Sequence, residues 1–130
     1  MRKAQGKARC NYNSKAYQIG FKRLVQIRTI LLNRGYDVEY ADLNYNGVDL
    51  KAWRRIKNWQ GEPDEVYEVT NYSQSSYMNY RRALHYIYNL KQYPNSKKIM
   101  VVSYWDNIKA LASLFKQDNI QIKVMGKQEL

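Results

Sequence analysis

The residues best suited to chemistry in this chain are two acids, Asp49 and Glu68. Asp49 follows Gly47-Val48 and opens the run Leu50-Lys51-Ala52-Trp53. Glu68 sits within Glu65-Val66-Tyr67-Glu68-Val69-Thr70. Both runs read as strands of a hairpin, with a turn over residues 57–64 that holds Gly61 and Pro63. Strand side chains alternate between faces. Val66, Glu68 and Thr70 therefore share one face, and Tyr67, Val69 and Asn71 the other. A carboxylate flanked by valines needs a partner if it is buried, and a divalent metal ion is one such partner. Two acids on adjacent strands can converge on one cation, and the rest of the chain then serves to hold that pair.

A length of 130 residues suits one domain with a single core. No apolar run reaches the roughly 20 residues of a bilayer span. The basic N-terminal stretch has no apolar signal core. Cys10 is the only cysteine, which excludes an intrachain disulfide framework and a cysteine-rich zinc site. These features lead us to expect a soluble cytoplasmic protein (host cytoplasm for a viral source) with no membrane partner and no small-molecule cofactor.

The net charge of +11 is unevenly placed. Residues 1–36 carry nine Lys or Arg and no acid, whereas the remaining thirteen basic and eleven acidic residues nearly cancel. A positive field concentrated at one end suits a phosphate backbone, so nucleic acid is the expected partner. Residues 1–14, with Lys3, Lys7 and Arg9, read as a flexible basic arm of the kind that orders on nucleic acid. Residues 15–130 read as one α/β domain.

Residues 16–34 read as a helix, with Phe21, Leu24, Val25, Leu31 and Leu32 at helical spacing, Ser14 as N-cap and Gly35 as stop. Tyr36–Leu43 alternates as a strand and the hairpin follows. Trp53 and Trp59 flank Arg54, Arg55 and Lys57, which suits base stacking beside phosphate contact, or turn packing. Residues 76–92 read as a second helix with Tyr77, Tyr80, Leu84, Ile87 and Tyr88 as its buried stripe and Arg81 and Arg82 beside it. His85, the only histidine, reads as a surface or packing residue. Ile99–Val102 is a continuous apolar run, as in a central parallel strand. Asp106 is read as the cap of a third helix, and residues 120–124 alternate as a last strand. The order α-β-β-β-α-β-α-β describes an α/β domain whose mixed central sheet is flanked by helices.

This order resembles the PD-(D/E)XK nuclease superfamily, and within it the archaeal Holliday-junction-resolvase-like endonucleases. The likeness covers roughly residues 16–104. Gly47-Val48-Asp49 is similar to the family's first acidic motif, with Val48 where proline is common. Glu68-Val69-Thr70 is similar to its acid-any-lysine motif, with Thr70 where lysine stands. Gly20-Phe21-Lys22 is similar to the family's first helix, with Lys22 near the position of its glutamate. The resemblance implies a restriction-endonuclease-like fold and a metal-dependent DNA endonuclease acting on branched DNA. It implies Mg²⁺ or Mn²⁺ held by Asp49, Glu68 and the Val69 carbonyl, and a homodimer. Asp42 and Glu65 are spare acids, Glu65 on the opposite strand face from Glu68. Lys22, migrated from the usual lysine position, or Lys51, on the strand face of Asp49, would supply the catalytic cation. Arg54, Arg55, Arg81, Arg82, Lys3, Lys7 and Arg9 would hold the nucleic-acid backbone. The Thr70 departure keeps a second reading open, a catalytically inactive nucleic-acid-binding module on the same fold. A third is an interaction protein, since its thirteen tyrosines suit an interface.

Overall fold

A computed structural model of the protein describes residues 15–40, 47–54, 61–70 and 72–126, with side chains from residue 21 onward. The arm, Asp42, Arg55, Lys57 and Trp59 lie outside the described residues. The chain runs α1 (Lys15–Asn33), β1 (Tyr36–Tyr40), β2 (Leu50–Arg54), β3 (Glu65–Val69), α2 (Tyr80–Lys91), β4 (Lys97–Val102), α3 (Ala112–Gln117) and β5 (Ile120–Val124). The order of elements is the expected one.

α1 stops where Gly35 takes a φ of 91°, a left-handed value that glycine adopts without a Cβ clash. The Arg34 and Gly35 N–H groups close the last turn on the Leu31 and Leu32 carbonyls, each at 3.0 Å. The strands form one sheet in the order β1-β2-β3-β4-β5. β1, β2 and β3 pair antiparallel, and β4 pairs parallel with both β3 and β5. The parallel pairs need crossovers, which α2 and α3 provide.

Helices cover both faces. Ile27 and Leu31 of α1 pack on Leu50, Ala52, Tyr67 and Val101, with Tyr36, Val38 and Tyr40 at the margin. Ala83, Ile87 and Leu90 of α2 and Phe115 of α3 pack on Val66, Met100 and Val102. β4 is thus buried on both faces, as its apolar run requires.

Three expectations change. Phe21 and Val25 are exposed on α1, and the buried line is Arg23, Ile27 and Leu31. Arg23 is fully buried because its guanidinium donates to Ser103 Oγ (3.0 Å) and the Gly126 carbonyl (2.9 Å), just past β4 and β5. The supposed buried stripe of α2 also turns outward: Tyr77, Tyr80, Leu84 and Tyr88 are all exposed, and of the residues named only Ile87 is buried. Asp106 caps no α-helix. Two 3₁₀ turns, Trp105–Asn107 and Lys109–Leu111, precede α3, and Asp106 pairs with Lys109 instead (3.7 Å).

Asn107 is what holds that corner. Its Oδ1 accepts the Tyr104 N–H (3.0 Å), and its Nδ2 donates to the Ser73 (2.8 Å) and Ser76 (2.7 Å) carbonyls. The Met78 N–H donates to the Asn107 carbonyl at 2.8 Å. Trp53 is buried with its indole N–H on the Gly61 carbonyl (2.9 Å), so it packs the turn and presents no stacking face. On the α1 face, Tyr36 (3.1 Å) and Tyr67 both donate to the Glu65 carboxylate. Burial first, and then the Glu65 hydrogen bond and charge, hold the Tyr67 phenol far above the ordinary range.

Two substitutions test these contacts. Asn107→Leu should cost about 2–4 kcal/mol in urea unfolding, since it strips partners from three backbone groups. Hydrogen exchange should accelerate over residues 73–78. A phenol raised on folding supports stability below the unfolded value of about 10 and loses it as pH rises. Tyr67→Phe should therefore make the alkaline fall in stability shallower above about pH 10, by up to about 1.4 kcal/mol per pH unit.

Candidate functional site

β2 and β3 bring the two acids together. Leu50 stands opposite Tyr67 and Lys51 opposite Val66, so Asp49, one step before Leu50, comes beside Glu68. The Asp49 N–H donates to the Tyr67 carbonyl (2.9 Å), and its Oδ2 accepts the Val69 N–H (2.8 Å). Asp49 therefore grips both chain neighbours of Glu68. The N–H and C=O of one strand residue point to the same side, so the Val69 carbonyl faces the side of Asp49.

Alternation within β2 and β3 gives the faces of Lys51 and Glu68. Leu50 and Ala52 belong to the α1 side, so Lys51 points toward α2. Val48 packs with the α2 side, so the alternation breaks just before β2 and the Asp49 carboxylate is placed by its bond to the Val69 N–H. Val66 packs with α2, and Glu68 and Thr70 follow it. Glu68 is only 2% exposed, and its Oε2 accepts from Asn89 Nδ2 of α2 at 2.9 Å. Asn89 Nδ2 also approaches His85 Nε2 (3.4 Å). Asn89 Oδ1 is buried and has no hydrogen-bond partner among the described residues. An unsatisfied buried oxygen beside a buried carboxylate is where water or a hydrated cation belongs.

α2 supplies the cation. Asn79 caps its first turn by accepting the Arg82 N–H (2.8 Å), which fixes that residue at the helix start. The Arg82 guanidinium lies 5.9 Å from the Tyr86 ring centroid. It is held charged first by Tyr86, against the effect of burial, then by Tyr72, which it hydrogen-bonds, and by Glu68. Burial, and then Tyr72, push the Tyr86 phenol well above its ordinary range, with Arg82 opposing.

The expected residues divide accordingly. Asp49, Glu68, Val69 and Arg82 meet at one end of the sheet. Thr70 is buried, and its N–H and Oγ1 both donate to the Val101 carbonyl (3.0 and 3.2 Å), so it contributes backbone support and no charge. Lys22 is exposed on α1, across the sheet from the Glu68 carboxylate. The migrated-lysine expectation thus finds its residue on the wrong face. Lys51 has the right face, but its ammonium lies 5.5 Å from the ring centroid of Tyr93, past the far end of α2 from Arg82. Arg54 is exposed five residues along from Asp49, about 17 Å at strand rise. Arg81 is exposed on α2. Glu65 faces α1, as expected. Arg55, Lys3, Lys7 and Arg9 fall outside the described residues.

Sequence reasoning missed Asn89, Tyr72 and Tyr86. A signal existed for two of them: Arg82, Tyr86 and Asn89 recur at i, i+4 and i+7, the spacing of one helix face.

The donor set fits a hard cation, with two carboxylates and the neutral Val69 carbonyl, all oxygen. Among the described residues no group of three or more His, Cys, Asp or Glu gathers. Magnesium commonly uses one or two carboxylates and completes its shell with water and substrate phosphate. Comparison with family models, with curated proteins and with solved structures gives no match. No helix among the described residues is long and apolar enough to cross a membrane.

The Glu68–Asn89 contact is measurable by a double-mutant cycle on Glu68→Met and Asn89→Leu. Asn89→Leu alone should cost about 1–3 kcal/mol, because it strips a donor from a buried carboxylate. The double variant should recover part of that, with a coupling of about 0.5–3 kcal/mol.

Proposed function

We propose that this chain is a metal-dependent DNA endonuclease of the restriction-endonuclease-like type. The observation that carries the reading is the Asp49 grip on the Tyr67 carbonyl and the Val69 N–H. It puts two carboxylates and a strand carbonyl at one sheet end, with Arg82 beside them. The antiparallel β1-β2-β3 meander followed by a parallel β4 supports the fold assignment. Asp49, Glu68 and the Val69 carbonyl would hold Mg²⁺ or Mn²⁺. Bound there, the metal would activate water and stabilise charge on the phosphate oxygens.

The chain's own residues do the rest. Asn89 orients the Glu68 carboxylate and keeps one oxygen engaged. Arg82 presents a planar, permanently charged fork to a non-bridging phosphate oxygen, the task that lysine performs in the resembling family. Arg81, together with the basic residues near the N-terminus, attracts the backbone without reading bases. A homodimer on branched DNA is the assembly this reading carries.

Thr70 favours a second reading. With its hydroxyl bound to the Val101 carbonyl and no lysine in the motif, a nucleic-acid-binding module without catalysis fits the same surface.

Cleavage of labelled linear, single-stranded and four-way-junction DNA with Mg²⁺, Mn²⁺ or EDTA separates the two. Wild type should cut only with metal, and Asp49→Ala and Glu68→Ala should abolish cutting. Arg82→Ala should slow cutting by about 100-fold, as loss of a preorganised charge does. Lys22→Ala should change it by less than about twofold. Binding without cutting in any metal, unchanged by Asp49→Ala, would establish the second reading instead.

A further inference from the structure

α2 carries a second surface that the acid pair does not use. Tyr77, Tyr80, Leu84 and Tyr88 are 71%, 59%, 44% and 64% exposed. Tyr80, Leu84 and Tyr88 recur every four residues, so they form one outward line along the helix. Tyr77 is exposed just before the helix start. The backbone that carries it is held: Met78, next in the chain, is buried and bonded through its N–H to the Asn107 carbonyl. The Asn107 side chain pins Ser73 and Ser76 on the other flank. The row is thus Tyr80, Leu84 and Tyr88 along one line of the helix, with Tyr77 just before it on backbone held by Asn107.

We infer that this row is a stacking platform for an unpaired strand of nucleic acid that leads into the Asp49–Glu68 site. The destination of the strand rests on the nuclease reading; the platform itself does not. Three features select this occupant. The step between Tyr80, Leu84 and Tyr88 is about 6 Å. That is close to twice the 3.4 Å rise of stacked bases, so bases can alternate with side chains. Tyrosine faces stack on any base, which suits binding without sequence preference. The charge also matches. α2 holds no acidic side chain, and Arg81 is exposed next to the row. Going round the helix at 3.6 residues per turn, Arg81 and then His85 lie between the row and the face of Asn89 and Arg82. The way from the row to Glu68 therefore runs past the Arg81 charge and the polar His85 and Asn89, with no acidic side chain of α2 to repel a phosphate.

A second copy of the chain fits less well. Two α2 helices meeting on this row would bring Arg81 toward Arg81 with no carboxylate on either helix, between chains of net charge +11. A duplex fits less well too, since its bases are already stacked and cannot alternate with tyrosines.

The test is fluorescence anisotropy in EDTA with an oligothymidylate of about 12 nucleotides and a duplex of equal length. It compares wild type with Tyr77→Ala/Tyr80→Ala/Tyr88→Ala and with the corresponding Phe triple variant. All three tyrosines are exposed, and circular dichroism and thermal unfolding check that the variants fold. The single strand should bind wild type at least about tenfold more tightly than the duplex. The Ala triple variant should lose at least about 30-fold for the single strand and less than about threefold for the duplex. The Phe triple variant should bind as wild type. Single-strand affinity unchanged in the Ala triple variant overturns the platform. So does an equal loss for both probes, or an Ala triple variant that turns a wild-type dimer into a monomer with no change in affinity. Because metal is absent, these outcomes are independent of cleavage. Tyrosine-dependent binding without cutting leaves the platform standing and removes the nuclease; metal-dependent cutting with unchanged binding does the reverse.

Discussion

The Asp49 carboxylate on the Val69 N–H is the contact on which the site depends. A charge-assisted bond to a backbone donor is worth about 1.5–3 kcal/mol, more than an ordinary neutral one. Here it does more than stabilise. Together with the Asp49 N–H on the Tyr67 carbonyl, it joins the beginning of β2 to the end of β3 on both sides of Glu68. The second acid is then fixed from below by its own strand and from above by Asn89. Neither carboxylate has to be ordered when a ligand arrives, and that entropy is already lost on folding.

Sheet direction explains why the other groups arrive at the same place. β2 runs antiparallel to β3, so its first residues lie beside the last residues of β3. β4 runs parallel to β3, so α2 must return across the sheet and begin at that same end. Arg82 in the first turn of α2 and Glu68 near the end of β3 are therefore neighbours by topology. Asn89, two turns later, reaches Glu68 from above the strand. Ligand sites of open α/β sheets lie outside the carboxyl ends of the parallel strands for a related reason. The exposed tyrosine row and the acid site share α2, and Arg81 and His85 lie between them.

Much of this arrangement was legible in the sequence because it rests on period. Strand runs of period two and helical runs of period 3.6 established the order of elements, and alternation alone placed Glu68 opposite Tyr67 and Val69. The placing of Asp49 and Glu68 on adjacent strands was legible for the same reason. What failed were choices that period cannot make. Tyrosine counts as apolar in a pattern, yet its hydroxyl tolerates water, so Tyr80, Leu84 and Tyr88 read as core while the smaller Ala83, with Ile87 and Leu90, is what the sheet admits. Arg23 was illegible because its burial depends on Ser103 and Gly126, both distant in sequence. Asn89 was missed because its helical spacing with Arg82 and Tyr86 marks a face without saying what it meets; its role exists only beside Glu68. Lys22 failed because helical spacing does not say which face of a sheet a helix will cover.

The central claim is that Asp49 and Glu68 together hold a divalent cation. Titration of Mn²⁺ followed by electron paramagnetic resonance, with DNA bound, tests it without requiring turnover. Wild type is expected to take up one Mn²⁺ per chain at a site that either Asp49→Asn or Glu68→Gln removes, while DNA binding persists. Equal Mn²⁺ uptake by wild type and both variants would contradict the claim and leave the two acids as structural braces of the β2–β3 end.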